Sequence, residues 1–547
     1  MKLKGIPIGI SDFKKMIEEN CYYFDKTKFI EDVIKDSAEI KLFTRPRRFG
    51  KTLNMSMFKY FFDVKNADEN RKLFKDLYIE KSEIFKYQGQ NPIIFLSLKD
   101  LKFRTFKEME NYFRKLIIEA FGDYRFIREK LDELELNIFN KILKNEDVED
   151  FKDSLKILSK CLYEYYNQKT VLIIDEYDTP IVAAYEYGYY DEAISFFRVF
   201  YASALKDNTF LQMGLMTGIL RVAKEGIFSG LNNLLVDSIL DKNYSEYFGL
   251  TESEIEKALR YYEIEYKLAD VKDWYDGYKF GNSEIYNPWS IINYIRNKNL
   301  EPYWINTSDN YLIKNLLSTA DEEIFEDLKN LFNYQTIEKN ISKNSTLVNL
   351  RSKKDLWQLL FFSGYLTIDR KVENTMSSYF LRIVNKEIHS FFRSSFIEDF
   401  SIKESVFYNM MQSFLKKDFK NYEKHLQSLM LTSFSYFDVA QEEKFYHNFI
   451  LGMILSLDKQ FYVSSNAESG LGRYDIILEP KNVDNTAFIM EFKVAKNEED
   501  LEKECDLALK QIKEKAYDTK LREKGINDIA EIAVTFYGKK VRVKVSS

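Results

Sequence analysis

F-T-R-P-R-R-F-G-K-T, Phe43–Thr52, stands between an apolar run, Glu39–Thr44 (EIKLFT), and a stretch of helical periodicity, Lys51–Asp63. A strand that turns sharply into a helix is the setting of a phosphate-binding loop, G-x-x-x-x-G-K-[ST]. Gly50, Lys51 and Thr52 fit that pattern, and Arg45 stands where its first glycine would be. Gly50 lets the backbone approach phosphates, Lys51 reaches the β and γ oxygens, Thr52 takes Mg²⁺, and the new helix points its N–H groups at the anion. A basic surface turn with an accidental GKT carries the same letters, so a partner motif has to decide. VLIIDEYD supplies it: Asp175 and Glu176 close an apolar strand, where open α/β sheets hold their ligands. One carboxylate for the Mg²⁺ shell and a second to polarise water form a Walker B pair. A further strand, Leu211–Thr217, ends on Thr217, a candidate to orient the attacking water, and Arg221 follows as a candidate cation for the γ-phosphate.

Outward from the loop, strands alternate with amphipathic helices over the first 240 residues. Pro92–Leu98 (PIIFLSL) is a second strand, a helix covers Phe106–Phe121, and Val171–Asp175 is a third strand. This alternation predicts a parallel sheet covered on both faces. Residues 241–435 read as mostly helical, with Thr251 and Glu254 forming a capping box at the start of one helix. Within them DLWQLLFFSGYLTIDR and SSYFLRIVN read as helix, turn and strand pair, like a winged-helix unit, and Glu404–Ser435 as another helical stretch. Residues 436–547 give a helix over Glu443–Leu457, strands at Arg473–Leu478 and Ala487–Val494, a helix over Glu498–Tyr517 and two last strands. The fold class is therefore α/β, in three domains: 1–240, 241–435 and 436–547.

Composition sets limits on function. Of 547 residues 45% are hydrophobic and 30% charged, as in an ordinary globular protein. The net charge of −6 excludes a whole-surface electrostatic binder of nucleic acid, so any DNA contact needs a local basic patch. Cys21, Cys161 and Cys505, with His389, His425 and His447, offer no zinc spacing and no disulfide framework. The stretch MKLKGIPIGISDF lacks a signal-peptide core, and no run approaches the ~20 apolar residues that span a bilayer. A cytoplasmic location and no membrane partner are the expectation.

A second constellation lies near the end of the chain. G-R-Y-D, Gly472–Asp475, precedes M-E-F-K, Met490–Lys493. Glu491 and Lys493 are two apart on a strand and share a face. If the two strands pair across the turn at Pro480, Asp475 joins them. Two carboxylates can then hold Mg²⁺ or Mn²⁺, and the ammonium can orient or deprotonate water for phosphodiester hydrolysis. A solvent-facing strand edge shows the same D…E-x-K letters, but Glu491 interrupts the apolar run AFIM-E-F, where an unpaired carboxylate is costly.

Phe43–Thr52, VLIIDEYDTP, TGILRVAKEGIFSGLNN, WYDGYKFG, YNPWS and LWQLLFFSGYLT resemble the bacterial AAA-ATPase-like family, whose P-loop typically reads RPRRFGKS/T. The resemblance implies ATP and Mg²⁺ as cofactors, with Arg48, Phe49, Gly50, Lys51, Thr52, Asp175, Thr217 and Arg221 on the nucleotide side. Thr52 and Asp175 would hold the metal, and Glu176 would be catalytic. It also makes Arg45 a family trait. EKFYHNFILG, ESGLGRYDIIL, IMEFKVAK and ALKQIKEKAY resemble the PD-(D/E)XK nuclease superfamily, with Tyr474 in place of the proline. That resemblance implies a restriction-endonuclease-like domain with Asp475 and Glu491 as metal ligands. Lys493 would be the catalytic lysine, Glu443 a supporting helix carboxylate and Gln511 an accessory polar residue. Together they imply an ATP-dependent or ATP-regulated nuclease acting on DNA. The other reading is a regulatory switch in which ATP assembles homo-oligomers and the nuclease-like domain only binds nucleic acid.

Overall fold

The computed structural model describes residues 3–146, 149–221, 228, 231, 233–304, 322–332, 334–343, 353–399, 404–433, 446, 450, 453–454, 457, 460–465, 468–470 and 472–546. The chain divides into two compact units, Met1–Ser308 with Glu338–Glu387 and Asp309–Ile337 with Ile388–Ser547.

The first unit is built on β1 (Ile40–Thr44), which turns into α1 (Lys51–Phe62), and on β2 (Ile93–Ser97), β3 (Thr170–Asp175), β4 (Leu211–Gly218) and β5 (Leu234–Asp237). All pairings are parallel, in the order β2-β3-β4-β1-β5. Every residue of β1 and β3 is buried, as expected of parallel strands covered on both faces. β5 is not foreseen in the sequence, because its four residues LLVD are mostly half-exposed and too short to show a period. On one face Ile40, Leu42, Leu172 and Ile174 pack with Phe113, Phe197 and Phe200. Phe113 and Phe200 meet edge to face at 4.8 Å, a geometry worth roughly 0.5–1.5 kcal/mol beyond its buried area. Lys41 is a charged exception inside β1; its ammonium donates to the carbonyls of Asp36 and Ala38 and pairs with the Asp36 carboxylate at 3.7 Å.

Beyond β5 the expected capping box of Thr251 and Glu254 opens the helix Glu252–Tyr261. The region is less helical than its sequence suggests. A hairpin of β6 (Tyr278–Phe280) and β7 (Ser283–Ile285) precedes α2 (Pro288–Asn297), whose N-cap Asn287 accepts from Trp289 N and Ser290 N. β8 (Ile337–Asn340), the helix Lys353–Phe362, β9 (Leu366–Lys371) and β10 (Ser378–Ile383) follow. The three strands form a sheet in the order β8-β10-β9, the helix-and-hairpin arrangement expected of a winged-helix-like element. α3 (Lys386–Asp399) leads out of this unit.

The second unit holds a five-stranded mixed sheet. Its elements are β11 (Phe461–Ser465), the small pair β12 (Glu468–Ser469) and β13 (Gly472–Arg473), β14 (Ile476–Pro480), β15 (Ala487–Val494), α4 (Leu501–Glu514), β16 (Ile529–Tyr537) and β17 (Lys540–Val545). The order is β11-β14-β15-β16-β17, with β15 and β16 parallel and the rest antiparallel. α4 buries Cys505, Ala508 and Ile512; Ala508 meets Ala533, and Ile512 meets Ile477 and Ile489. The helical stretch Glu404–Ser435 is two helices, Glu404–Leu415 and Phe419–Ser433, parted at Lys417 by a left-handed φ of 59°. Glu443 lies outside the described residues; Tyr446, Ile450, Met453 and Leu457, which follow it at helical spacing, are all buried. No helix among the described residues is long and apolar enough to cross a membrane.

Candidate nucleotide-binding and nuclease sites

Strand register assembles the first site. Phe43 pairs with Thr217, Ser97 with Asp175 and Ile174 with Met216, so β1, β2, β3 and β4 end together. From β1 the chain enters the loop, and Gly50 caps α1 with a left-handed φ of 79° that needs no Cβ. Arg45 N–H is taken by the carbonyl of Gly218 at 3.0 Å and Pro46 has none, so anion donors must come from Arg47 onward. Lys51 is folded back on its own loop, its ammonium donating to the carbonyls of Arg45 (3.0 Å) and Pro46 (2.8 Å). Burial pulls its pKa down, against the pull of Glu176, Asp178 and Asp175.

Asp175 accepts the Thr52 hydroxyl at 2.8 Å on one oxygen and the Thr217 hydroxyl on the other. Burial pushes its carboxyl up, and the two hydroxyls oppose that. Glu176 adopts a left-handed φ of 55°, a strain of order 1–3 kcal/mol for a residue with a side chain; its N–H donates to Thr217 Oγ1 at 3.3 Å. Asp178 escaped the sequence reading although it stands in the same D-E-Y-D run. It is buried, accepts Ile219 N–H (2.8 Å) and Leu220 N–H (2.9 Å), and so pins the segment after β4 to the end of β3. A Cβ on Gly218 would come within 2.6 Å of the Tyr177 ring, so glycine is needed there.

These residues open on a cavity of 440 Å³. Gly50, Lys51, Thr52, Glu176 and Asp178 line it, as do Ile10, Tyr22, Phe24, Leu250, Trp289 and Ile292. That volume and its mixed lining suit a small polar ligand with an apolar part. The Thr52 hydroxyl and Asp175 carboxylate are adjacent hard oxygen donors, a set that fits Mg²⁺. Arg48 lies with its guanidinium 4.4 Å from the centre of the Trp289 ring. Phe49 gives only its backbone to the loop, since its ring is buried against Tyr278 and Phe280. Thr217 reaches the site through Asp175. Arg221 is not among the residues that line the cavity.

Arg45 is neither a solvated turn residue nor a nucleotide contact. It is fully buried, pairs with the Asp237 side chain at the end of β5, and donates to the carbonyls of Thr44 and Asp237 at 2.9 Å. Its guanidinium lies 4.8 Å from the Phe248 ring and 5.6 Å from that of Phe280. The loop's missing glycine is thus a brace between β1 and β5. Asp237 had a sequence signal, since LLVD ends an apolar run on an acid as VLIID does.

In the second unit β14 pairs with β15 so that Ile476 faces Met490, which sets Asp475 beside Glu491. Asp475 stands just outside β14 because its side chain takes the Phe492 N–H at 2.7 Å. Burial raises its pKa, while that N–H and Lys493 lower it. Glu491, 2% exposed, accepts Lys493 Nζ at 3.2 Å and the Gln511 amide on the same oxygen. Gln511 also donates to Tyr517 OH at 3.2 Å, and Tyr517 donates to the Arg473 carbonyl at 2.7 Å. The structure thus brings together Asp475, Glu491, Lys493 and Gln511, and adds Tyr517 as their support. Two carboxylates are an oxygen donor set that fits a hard divalent cation.

A nucleotide-type loop on a parallel sheet and a D…E-x-K cluster on a mixed sheet are the marks of an ATPase-like and a nuclease-like module. Comparison with known families agrees. Residues 7–228 match the family described as "Predicted AAA-ATPase", and residues 441–546 match the PD-(D/E)XK nuclease superfamily. The chain therefore carries an AAA-ATPase-like domain and, C-terminal to it, a PD-(D/E)XK nuclease superfamily domain. A protein of Azotobacter chroococcum mcd 1, described as the uncharacterized protein in the vnfD 5′ region, is 24% identical over 393 residues, 71% of this chain and 69% of that one. No solved structure matches the chain.

Arg45 yields a prediction that runs against the motif. Arg45→Gly restores the first glycine of the P-loop pattern but leaves the Asp237 carboxylate buried without its partner, at a cost of about 3–5 kcal/mol. Chemical denaturation should show that loss; a loss below about 1 kcal/mol, as for an exposed ion pair, would contradict the bracing role.

Proposed function

We propose that this chain binds Mg·ATP in the P-loop cavity and hydrolyses DNA phosphodiester bonds in its C-terminal domain, with ATP controlling the cut. The observation that carries the reading is the convergence of Asp475, Glu491, Lys493 and Gln511, which a solvent-facing strand edge would not bury. Asp475 and Glu491 would hold Mg²⁺ or Mn²⁺, which would supply Lewis acidity. Lys493 would orient the attacking water, and Gln511 keeps Glu491 turned toward the site. Glu443 would complete it. In the first domain Lys51 leaves its loop carbonyls for the phosphates, Thr52 and Asp175 hold Mg²⁺, and Glu176 polarises water. Residues 1–240, 241–435 and 436–547 would divide the work as ATPase, linking region and nuclease, in the cytoplasm and with homo-oligomers allowed.

Arg221 favours a second reading. The cation expected on the γ-phosphate does not line the cavity, so occupancy of the cavity, rather than turnover, would carry the signal. Homo-oligomers assembled by ATP would then be the output, with the nuclease-like domain binding nucleic acid.

The test is a panel of single- and double-stranded DNA and RNA with Mg²⁺ or Mn²⁺. Cleavage is expected on DNA, and Asp475→Ala or Lys493→Ala should lower it at least about 100-fold, the scale for losing a charged group that acts in the transition state. A wild-type protein that binds these substrates and cleaves none would leave the switch reading in its place. A non-hydrolysable ATP analogue separates the roles of ATP: it should support cleavage if occupancy is the signal, and fail to if turnover is required.

A further inference from the structure

Glu387, near the start of α3, is fully buried and belongs to neither constellation above. Its oxygens hold two other parts of the fold: Trp304 N–H donates to Oε1 at 2.7 Å, and the Ser290 hydroxyl to Oε2 at 2.8 Å. Burial pushes its carboxyl up to about 7, so a charge stays here only at a cost that those donors offset. Both donors lead to the phosphate loop. Trp304, itself buried, donates its indole N–H to the Arg47 carbonyl at 3.2 Å. Ser290 follows Trp289 in α2, and the Trp289 ring carries the Arg48 guanidinium at 4.4 Å.

The peptide between Arg47 and Arg48 is trans, so its C=O and N–H point in opposite directions. Holding the carbonyl from one side fixes the direction of the N–H on the other. Arg48 also sits at a left-handed φ of 68°, which a residue with a side chain keeps only when its surroundings impose it. With the Arg45 N–H taken by Gly218 and Pro46 lacking one, the Arg48 N–H is among the first donors the loop has left for an anion.

We propose that Trp304 and Glu387 are positioning residues for phosphate binding. Glu387 fixes the Trp304 backbone, Trp304 fixes the Arg47 carbonyl, and the Arg48 N–H is thereby presented to the phosphates. The inference rests on the reading of this loop as an ATP site.

Isothermal titration of the full chain with Mg·ATP and with Mg·tripolyphosphate tests it, in wild type, Trp304→Phe, Glu387→Met and the double variant. Each single variant should bind both ligands about 10-fold more weakly, the scale of one hydrogen bond to a charged group. The double variant should lose no more than about 10-fold, because both residues act through one carbonyl. A folded single variant that binds tripolyphosphate as wild type does would overturn the proposal. So would a double variant whose losses multiply to about 100-fold. Glu387→Met keeps nearly the same side-chain volume and removes both acceptor oxygens, so the test stands if Trp304→Phe does not fold. A wild type that binds neither ligand removes the ATP reading and the inference together; wild-type binding with unaffected variants removes the inference alone.

Discussion

The Asp175 carboxylate, buried at the end of β3, accepts the hydroxyls of Thr52 from α1 and Thr217 from β4. A buried carboxylate is tolerated only when it is hydrogen-bonded, so this one group obliges three elements to end in register. The registers between β1 and β4 and between β3 and β4 meet that requirement, and the loop, the cavity and the Walker B pair follow from it. Asp178 repeats the device one step further along, pinning Ile219 and Leu220. Under the proposed function the same carboxylate would also hold the metal, which would place a functional demand and a structural one on a single side chain.

The nuclease unit solves a related problem with different parts. Glu491 occupies an apolar strand and is tolerated through Lys493 and Gln511, while Asp475 spends one oxygen on the Phe492 amide. Each acid is oriented by a neighbour before any metal is considered, and Tyr517 holds Gln511 in turn. This preorganisation separates a site from a strand edge that merely carries the same letters.

How much of this is legible in the sequence depends on range. Strands with continuous apolar runs, such as VLIID and AFIM-E-F, were readable to within a residue or two, and so were the acids they carry, Asp175 at the end of one and Glu491 inside the other. What escaped was set by partners distant along the chain. Arg45 looks like a loop residue until Asp237, far away in sequence, takes its guanidinium. β5, four residues long, has no period to read, and the middle hairpins are too short to compete with helical patterning. Arg221 follows a strand end, as a γ-phosphate cation would, yet does not line the cavity. Sequence spacing fixes which strand a residue ends, and only the tertiary fold fixes which way its side chain then points.

The central claim is that one chain joins an ATP-binding switch to a DNA-cutting site. It is tested most directly by measuring the DNA cleavage rate against ATP concentration, with ATP affinity determined on the same sample. The account predicts that the ATP concentration giving half-maximal change in cleavage matches the ATP Kd, and that Thr52→Ala shifts both together. Cleavage that is the same without ATP and at saturating ATP would contradict it.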